Sequence, residues 1–191
     1  VSAELDRLSA LVVTHDHADH THGIDDLRPF YHMSRRQVPI YGDSETMANL
    51  EHKFDYIFAS KEGYPAICEA HILNGPQAVG DITAIPFEQG HGNGSSLGYR
   101  FGNMAYSTDV NALDDKAFEV LEGVKVWVVD ALRYTPHPTH SHLEQTLEWI
   151  ARVKPERAIL THMTWEMDYA TLKASLPEGV EPAYDGMVIE L

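Results

Sequence analysis

Basic residues are scarce in this chain of 191 residues: 14 Lys and Arg face 29 Asp and Glu, a formal net charge of −15. Such a surface repels polyanions, which argues against long RNA or DNA and against anionic membranes as partners. Cysteine is nearly missing, with Cys68 alone. That excludes an intrachain disulfide and a thiolate zinc cluster. Nothing calls for an oxidising compartment, so a cytoplasmic location is expected. No stretch approaches the ~20 apolar residues of a membrane helix. The opening Val1-Ser-Ala-Glu-Leu-Asp-Arg7 lacks an initiator Met and the basic-then-apolar order of a signal peptide. A fragment or a processed form is therefore expected. Repeats, low-complexity segments and linkers are also missing, which predicts one domain over residues 1–191.

Histidine is what the chain has in surplus, twelve in all. Imidazole is the commonest biological metal ligand, so the surplus directs attention to metal sites. Around it the pattern is α/β, with short apolar strands alternating with amphipathic helices. Strands are predicted over Ser9 to Thr14, Val38 to Tyr41, Ile82 to Phe87, Leu97 to Phe101 and Met104 to Ser107. Further strands are predicted over Val124 to Ala131, Ala158 to Thr161 and Met187 to Leu191. The Gly102-Asn103 pair predicts a hairpin. Helices are predicted over Asp25 to Arg36, from an N-cap at Ser44 along Met47, Leu50, Phe54 and Ile57, and over Ser141 to Val153 with Glu144 closing a capping box.

The segment Thr14-His-Asp-His-Ala-Asp-His20 directly follows the first strand and places His15, His17, Asp19 and His20 within six residues. Imidazole and carboxylate together suit zinc, manganese or iron. His15 and His17 are two apart, so in extended backbone their rings share a side. Asp19 and His20 follow the turn and can face a second ion. Three later segments repeat the idea of a strand ending in a ligand: His91 in a glycine-rich loop, Asp109 after Tyr106-Ser-Thr, and His162 after Ile159-Leu-Thr. Each alone reads as a cap or a turn residue. Their order after the first cluster gives them weight. Asp130 closes the Val124 to Ala131 strand and reads as a group that orients a ligand histidine. His22, His32, His52 and His71 read as surface or packing residues, and Arg28, Arg35 and Arg36 as a solvated helix face.

That order resembles the metallo-β-lactamase superfamily of binuclear metallohydrolases. The resemblance implies an αββα sandwich that here lacks its first N-terminal strands. It assigns His15, His17 and His91 to one divalent ion, Asp19, His20 and His162 to a second, and Asp109 to both, with zinc or manganese expected. Diiron relatives carry Glu at the position of His17, so the chain resembles the hydrolytic members. His20-Thr-His-Gly-Ile-Asp-Asp-Leu-Arg28, Val129-Asp-Ala-Leu-Arg133, His137-Pro-Thr-His140 and Tyr184-Asp-Gly-Met187 resemble the PhnP-like phosphodiesterase branch. In that branch the counterpart of His140 reaches toward substrate. Some members hold a structural zinc through front-segment cysteines and a later histidine. Trp165 stands at that histidine's position, so no structural zinc is expected.

The resemblance implies hydrolysis of small or cyclic phosphodiesters through a metal-bridging hydroxide. His140 is the proton donor, Asp19 orients the nucleophile, and Arg133 is a candidate for holding phosphate, since guanidinium matches phosphate geometry. A small-molecule substrate is expected, with no long nucleic acid and no membrane, leaving room for a homodimer. Two alternatives stay open. One is lactone or thioester hydrolysis on the same metals. The other is a truncated, non-catalytic metal-binding domain.

Overall fold

The computed structural model describes residues 5–190, in two compact units that meet in sequence between Asp81 and Ile82.

The first unit opens with β1 (Leu11–Val12), then α1 (Ala18–Thr21), a 3-10 turn (His22–Leu27) and α2 (Arg28–Ser34). The predicted Asp25 to Arg36 helix is thus two elements, and Pro29 lies in the first turn of α2. A proline belongs there because the first N–H groups of a helix have no partner inside it. Next come β2 (Val38–Gly42), α3 (Ser44–Lys53), α4 (Asp55–Phe58), β3 (Cys68–Ile72) and β4 (Gln77–Val79). Strands β1, β2 and β3 pair in parallel in that order. The N-cap of α3 is Asp43, not Ser44, because the Asp43 side chain accepts from the Thr46 amide. The helix predicted through Ile57 breaks at Phe54, whose φ of −125° is not helical. Met47, Leu50 and Ile57 are nonetheless all buried, packed with Val13, Ile24, Leu27, Val38, Ile40 and Cys68.

The second unit contains β5 (Ile82–His91), β6 (Gly94–Phe101), β7 (Met104–Ser107), α5 (Asp115–Leu121), β8 (Val126–Asp130), α6 (Leu143–Val153), β9 (Arg157–Thr161), α7 (Tyr169–Ser175) and β10 (Val180–Pro182). Its sheet runs β10-β9-β8-β7-β6-β5. The β5–β6 and β6–β7 pairs are antiparallel, and the rest are parallel. Strands β5, β7, β8 and β9 therefore all point the same way, and their C-terminal ends share one edge. The Gly102-Asn103 hairpin forms as predicted, with Gly102 at φ 57°. A positive φ at the first central position of a two-residue turn is where glycine is favoured.

All five residues of β8 are buried. Trp127 and Val129 face a core with Ala117 and Leu121 of α5, Ile150 of α6 and Leu172 of α7. Val126 and Val128 face the other side with Ile159, against Met104, Tyr106, Met187 and Ile189. Covered on both faces, β8 reads as an unbroken apolar run, which is how a central parallel strand looks in sequence. The Trp127 indole N–H donates to Ser107 Oγ at 3.0 Å, so its burial leaves no orphan donor. Helix α6 begins two residues later than predicted, with His142 at the cap position and no side-chain cap. Ser141 turns inward, and its Oγ donates to the Asp130 carbonyl at 2.7 Å. The predicted last strand is not formed over Met187 to Glu190; the edge strand is β10, and Leu191 lies outside the described residues.

Candidate functional site

In the first unit the chemistry follows β1. His15 is buried, Asp16 is half-buried, and His17 and Asp19 are exposed. The His15 ring lies 4.5 Å from the rings of both His17 and His20, centroid to centroid. His20 Nε2 is 3.4 Å from Asp19 Oδ2. The alternation expected of His15 and His17 thus yields neighbouring rings, and α1 brings His20 back beside them. Two ties hold this loop. Thr21 Oγ1 donates to the His17 carbonyl at 2.8 Å. Lys53, at the end of α3, donates to the Asp16 carbonyl at 2.9 Å and to Asp16 Oδ2 at 2.5 Å. Partial burial pushes the Asp16 carboxyl up, but the Lys53 hydrogen bond and charge together bring it below its ordinary range. Sequence reasoning missed Lys53, because nothing in a lysine 37 residues away marks it as a partner.

In the second unit the strand-end rule holds. His91 is the last residue of β5 and Asp130 the last of β8, while His162 follows β9 by one and Asp109 follows β7 by two. All four lie at the common C-terminal edge. Asp109 and His162 are left-handed, at φ 52° and 60°. Non-glycine residues there carry a backbone cost that surrounding contacts must offset, and such residues cluster at functional sites.

Asp109 is the hub. Thr108 Oγ1 donates to its Oδ1 at 2.8 Å, and His162 Nε2 is 3.4 Å from the same oxygen. His91 Nε2 and His140 Nε2 lie 3.7 and 3.8 Å from Oδ2. The other nitrogens of those two rings are committed. His91 Nδ1 meets the Thr139 carbonyl at 2.8 Å, so it carries the proton. His140 Nδ1 meets Asp130 Oδ2 at 3.1 Å, which likewise makes it the donor. In the neutral rings both Nε2 atoms are then lone pairs directed at a carboxylate. Lone pairs and an anion repel, and a cation among them reverses the sign. The donor set of this unit, imidazole and carboxylate without thiolate, therefore fits a divalent metal.

Asp130 stands behind that hub. It is fully buried. Its Oδ2 also accepts from the Val110 amide at 3.2 Å, and its Oδ1 lies 3.8 Å from His162 Nδ1. The Asp130 carbonyl accepts from Ser141 Oγ and from Thr146 Oγ1, both at 2.7 Å. Sequence reasoning expected Asp130 to orient a ligand histidine; its hydrogen bond goes instead to His140, with the ligand candidate His162 at 3.8 Å. Arg133 directs Nε to the Thr135 carbonyl at 3.0 Å and Nη2 to the Pro136 carbonyl at 2.5 Å, shaping the loop that leads to His140. Burial and the nearby Arg133 charge push the His137 imidazole below its ordinary range, and its Nδ1 accepts from the Thr139 amide at 3.3 Å. The glycine-rich stretch after His91 is a two-residue hairpin turn that closes on Gly94. Gly92 is left-handed, and a Cβ there would come within 2.6 Å of Thr139 Cγ2. Among the histidines read as packing residues, His22 meets the Phe54 ring edge-on and His71 stacks on Tyr41.

Comparison with known proteins agrees with this geometry. A family model described as the β-lactamase superfamily domain matches residues 1–163. A solved structure described as a new diphosphatase from the PhnP family is 34% identical. Its TM-score is 0.90, over 98% of this chain and 73% of that one. The metallo-β-lactamase fold protein YhfI from Bacillus subtilis has a TM-score of 0.72 at 17% identity, over 94% of this chain and 76% of that one, which is a likeness of fold. An octanoyltransferase from Porphyromonas gingivalis is 30% identical over 97% of this chain; the chain spans 38% of the length of that curated relative. Among the described residues no helix is long and apolar enough to cross a membrane. The chain belongs to the β-lactamase superfamily, with the metallo-β-lactamase fold and a likeness to the PhnP family.

Proposed function

We propose that this chain is a divalent-metal-dependent hydrolase of small phosphate esters, with phosphodiesters, cyclic ones included, as its substrate class. The observation that carries the reading is His140. It lies within 3.8 Å of Asp109 and is held by Asp130, and the ligand set that the resemblance implies does not include it. Following the resemblance, zinc or manganese ions would be held by His15, His17 and His91 and by Asp19, His20 and His162, with Asp109 common to both. Bound there, such ions supply Lewis acidity and bring the pKa of water toward neutrality.

The chain's own residues supply the rest. Asp130 fixes the His140 tautomer with its proton on Nδ1, so Nε2 is the atom that gains a proton and returns it to a leaving oxygen. Asp19 orients the nucleophile. Arg133 uses two donor atoms to shape its loop and adds positive charge for an incoming phosphate. A free small ester suits a net charge of −15 better than a polyanion does. The PhnP-family relative is described as a diphosphatase, which is also cleavage at phosphorus. We place the enzyme in the cytoplasm, in line with a single, buried thiol.

A second reading, hydrolysis of a lactone or thioester on the same site, draws on the acyl chemistry in the name octanoyltransferase. Turnover of bis(p-nitrophenyl) phosphate and of a lactone by wild type and by His140→Ala separates the two. The proposal expects phosphodiester turnover to fall ~10²–10³-fold with the fold intact, the usual loss for one charge-stabilising donor. A lactone as the better substrate, with His140→Ala harmless to it, would give the second reading its place.

A further inference from the structure

Between the loops of the second unit sits a residue with no chemistry of its own in the mechanism. Asn111 follows Asp109 by two and is half-buried. Its Nδ2 donates to the Pro138 carbonyl at 2.6 Å, two residues before His140. Its Oδ1 accepts from the Gly92 amide at 3.3 Å, one residue after His91. Its backbone N–H donates to the Gly90 carbonyl at 2.8 Å, and the Gly90 amide returns a bond to Ala112 at 2.9 Å. Gln145 of α6 donates to the Asn111 carbonyl at 3.0 Å. The loops bearing His91, Asp109 and His140 are thus joined through one side chain and its own backbone. Glycine at position 90 leaves room for this approach: a Cβ there would lie 2.9 Å from Ala112 Cβ and 3.3 Å from Asn111 Oδ1.

We propose that Asn111 is a positioning residue, whose carboxamide sets the His91 loop and the His140 loop against the Asp109 turn. The carboxamide suits the task because it carries a donor and an acceptor at opposite corners of one plane. The Gly92 bond fixes the turn just after His91, whose Nδ1 proton goes to Thr139. The Pro138 bond fixes the loop that presents both the Thr139 carbonyl and His140. Loosening either bond alters the aim of an imidazole without removing it. Outer partners of this kind usually change metal affinity or activity ~10–100-fold.

The two halves of the amide can be tested separately. The inference rests on the hydrolase reading only for its kinetic readout; zinc affinity tests it without substrate. In Asn111→Asp the acceptor toward Gly92 remains, while the donor toward Pro138 is replaced by a carboxylate facing a carbonyl. Its kcat on bis(p-nitrophenyl) phosphate should fall ~10–100-fold, with KM changing less than about threefold and zinc affinity close to wild type. Asn111→Ala loses both bonds and should lose zinc affinity as well, by competition with a chromogenic chelator. Amide hydrogen exchange on zinc-loaded protein should quicken around Pro138 to His140 in Asn111→Asp, and around Gly92 also in Asn111→Ala. Wild-type kcat, zinc affinity and exchange in both variants would overturn the proposal, as would an equal loss of zinc affinity in both. A wild type inactive on every phosphodiester would sink the functional reading instead, with zinc affinity and exchange still deciding for or against Asn111.

Discussion

Asp109 and His162 hold left-handed backbones that only glycine adopts cheaply, but aspartate and asparagine bear them best among the other residues. That separates backbone from chemistry at position 109. Asp109→Asn keeps the conformation and a carboxamide of the same shape, so thermal unfolding should move by only a few degrees while hydrolysis drops at least ~10²-fold. Asp109→Val adds β-branching at a φ of 52° and should unfold several degrees lower again. An Asp109→Asn enzyme with full turnover would remove Asp109 from the chemistry. Cys68 gives a prediction of another kind. Burial pushes its thiol from 9.0 up to about 11. The folded state thus favours the protonated thiol more than the unfolded state does. The resulting stability is intact below pH 9 and is lost as pH rises toward 11. At pH 8 a thiol reagent should label the native protein slowly and the unfolded protein at once, and rapid native labelling would contradict the burial.

At the scale of elements, the His15 to His20 loop of the first unit depends on a helix end. Lys53, in the last turn of α3, holds both the carbonyl and the carboxylate of Asp16, the residue between His15 and His17. About half of the Lys53 side chain is solvent-exposed, so Lys53→Met should cost no more than ~1 kcal/mol of stability in denaturant titration. Its effect should show in zinc affinity, reduced on the order of 10-fold by a loop no longer held. Unchanged affinity would make the tie incidental.

The same scale shows what the sequence made legible. β8 was readable because both its faces are apolar, and the hairpin at Gly102-Asn103 because a tight turn has few residue solutions. The gathering of His91, Asp109 and His162 was readable because parallel strands bring their ends to one edge. What escaped depended on contacts distant in sequence. Asp43 and Ser44 are both good caps, and only the bond to Thr46 selects Asp43. Ser141 looks like a cap until the Asp130 carbonyl, eleven residues earlier, draws it inward. Met187 and Ile189 alternate like a strand, yet they pack on β8 and β9 without pairing, and β10 takes the edge. β3 opens at Cys68 and carries Glu69 and His71, which hide its period. Asn111 left no signal, since an asparagine two residues after an aspartate reads as a turn.

Across the whole molecule the acidic excess is even: six Lys and Arg against thirteen Asp and Glu through Asp81, and eight against sixteen from Ile82 onward. Neither unit offsets the other, so both gain when negative charge is neutralised or screened. Raising NaCl from low to physiological concentration should therefore raise the unfolding temperature modestly, because the Debye length shrinks to about 8 Å at 0.15 M. A divalent ion that binds the folded chain specifically adds a term of another form. Its stabilisation grows with the logarithm of free metal and reaches about 2.7 kcal/mol at one hundred times Kd. The imidazole-rich donor set favours zinc or manganese over calcium, which prefers oxygen. Unfolding followed in zinc or manganese buffers should climb with that logarithm, while calcium at equal ionic strength should do no more than NaCl. A chelator should reverse the zinc or manganese gain and leave the salt gain in place. If zinc and manganese do no more than NaCl at equal ionic strength, the gain is screening alone, and the metal centre proposed for this chain does not form.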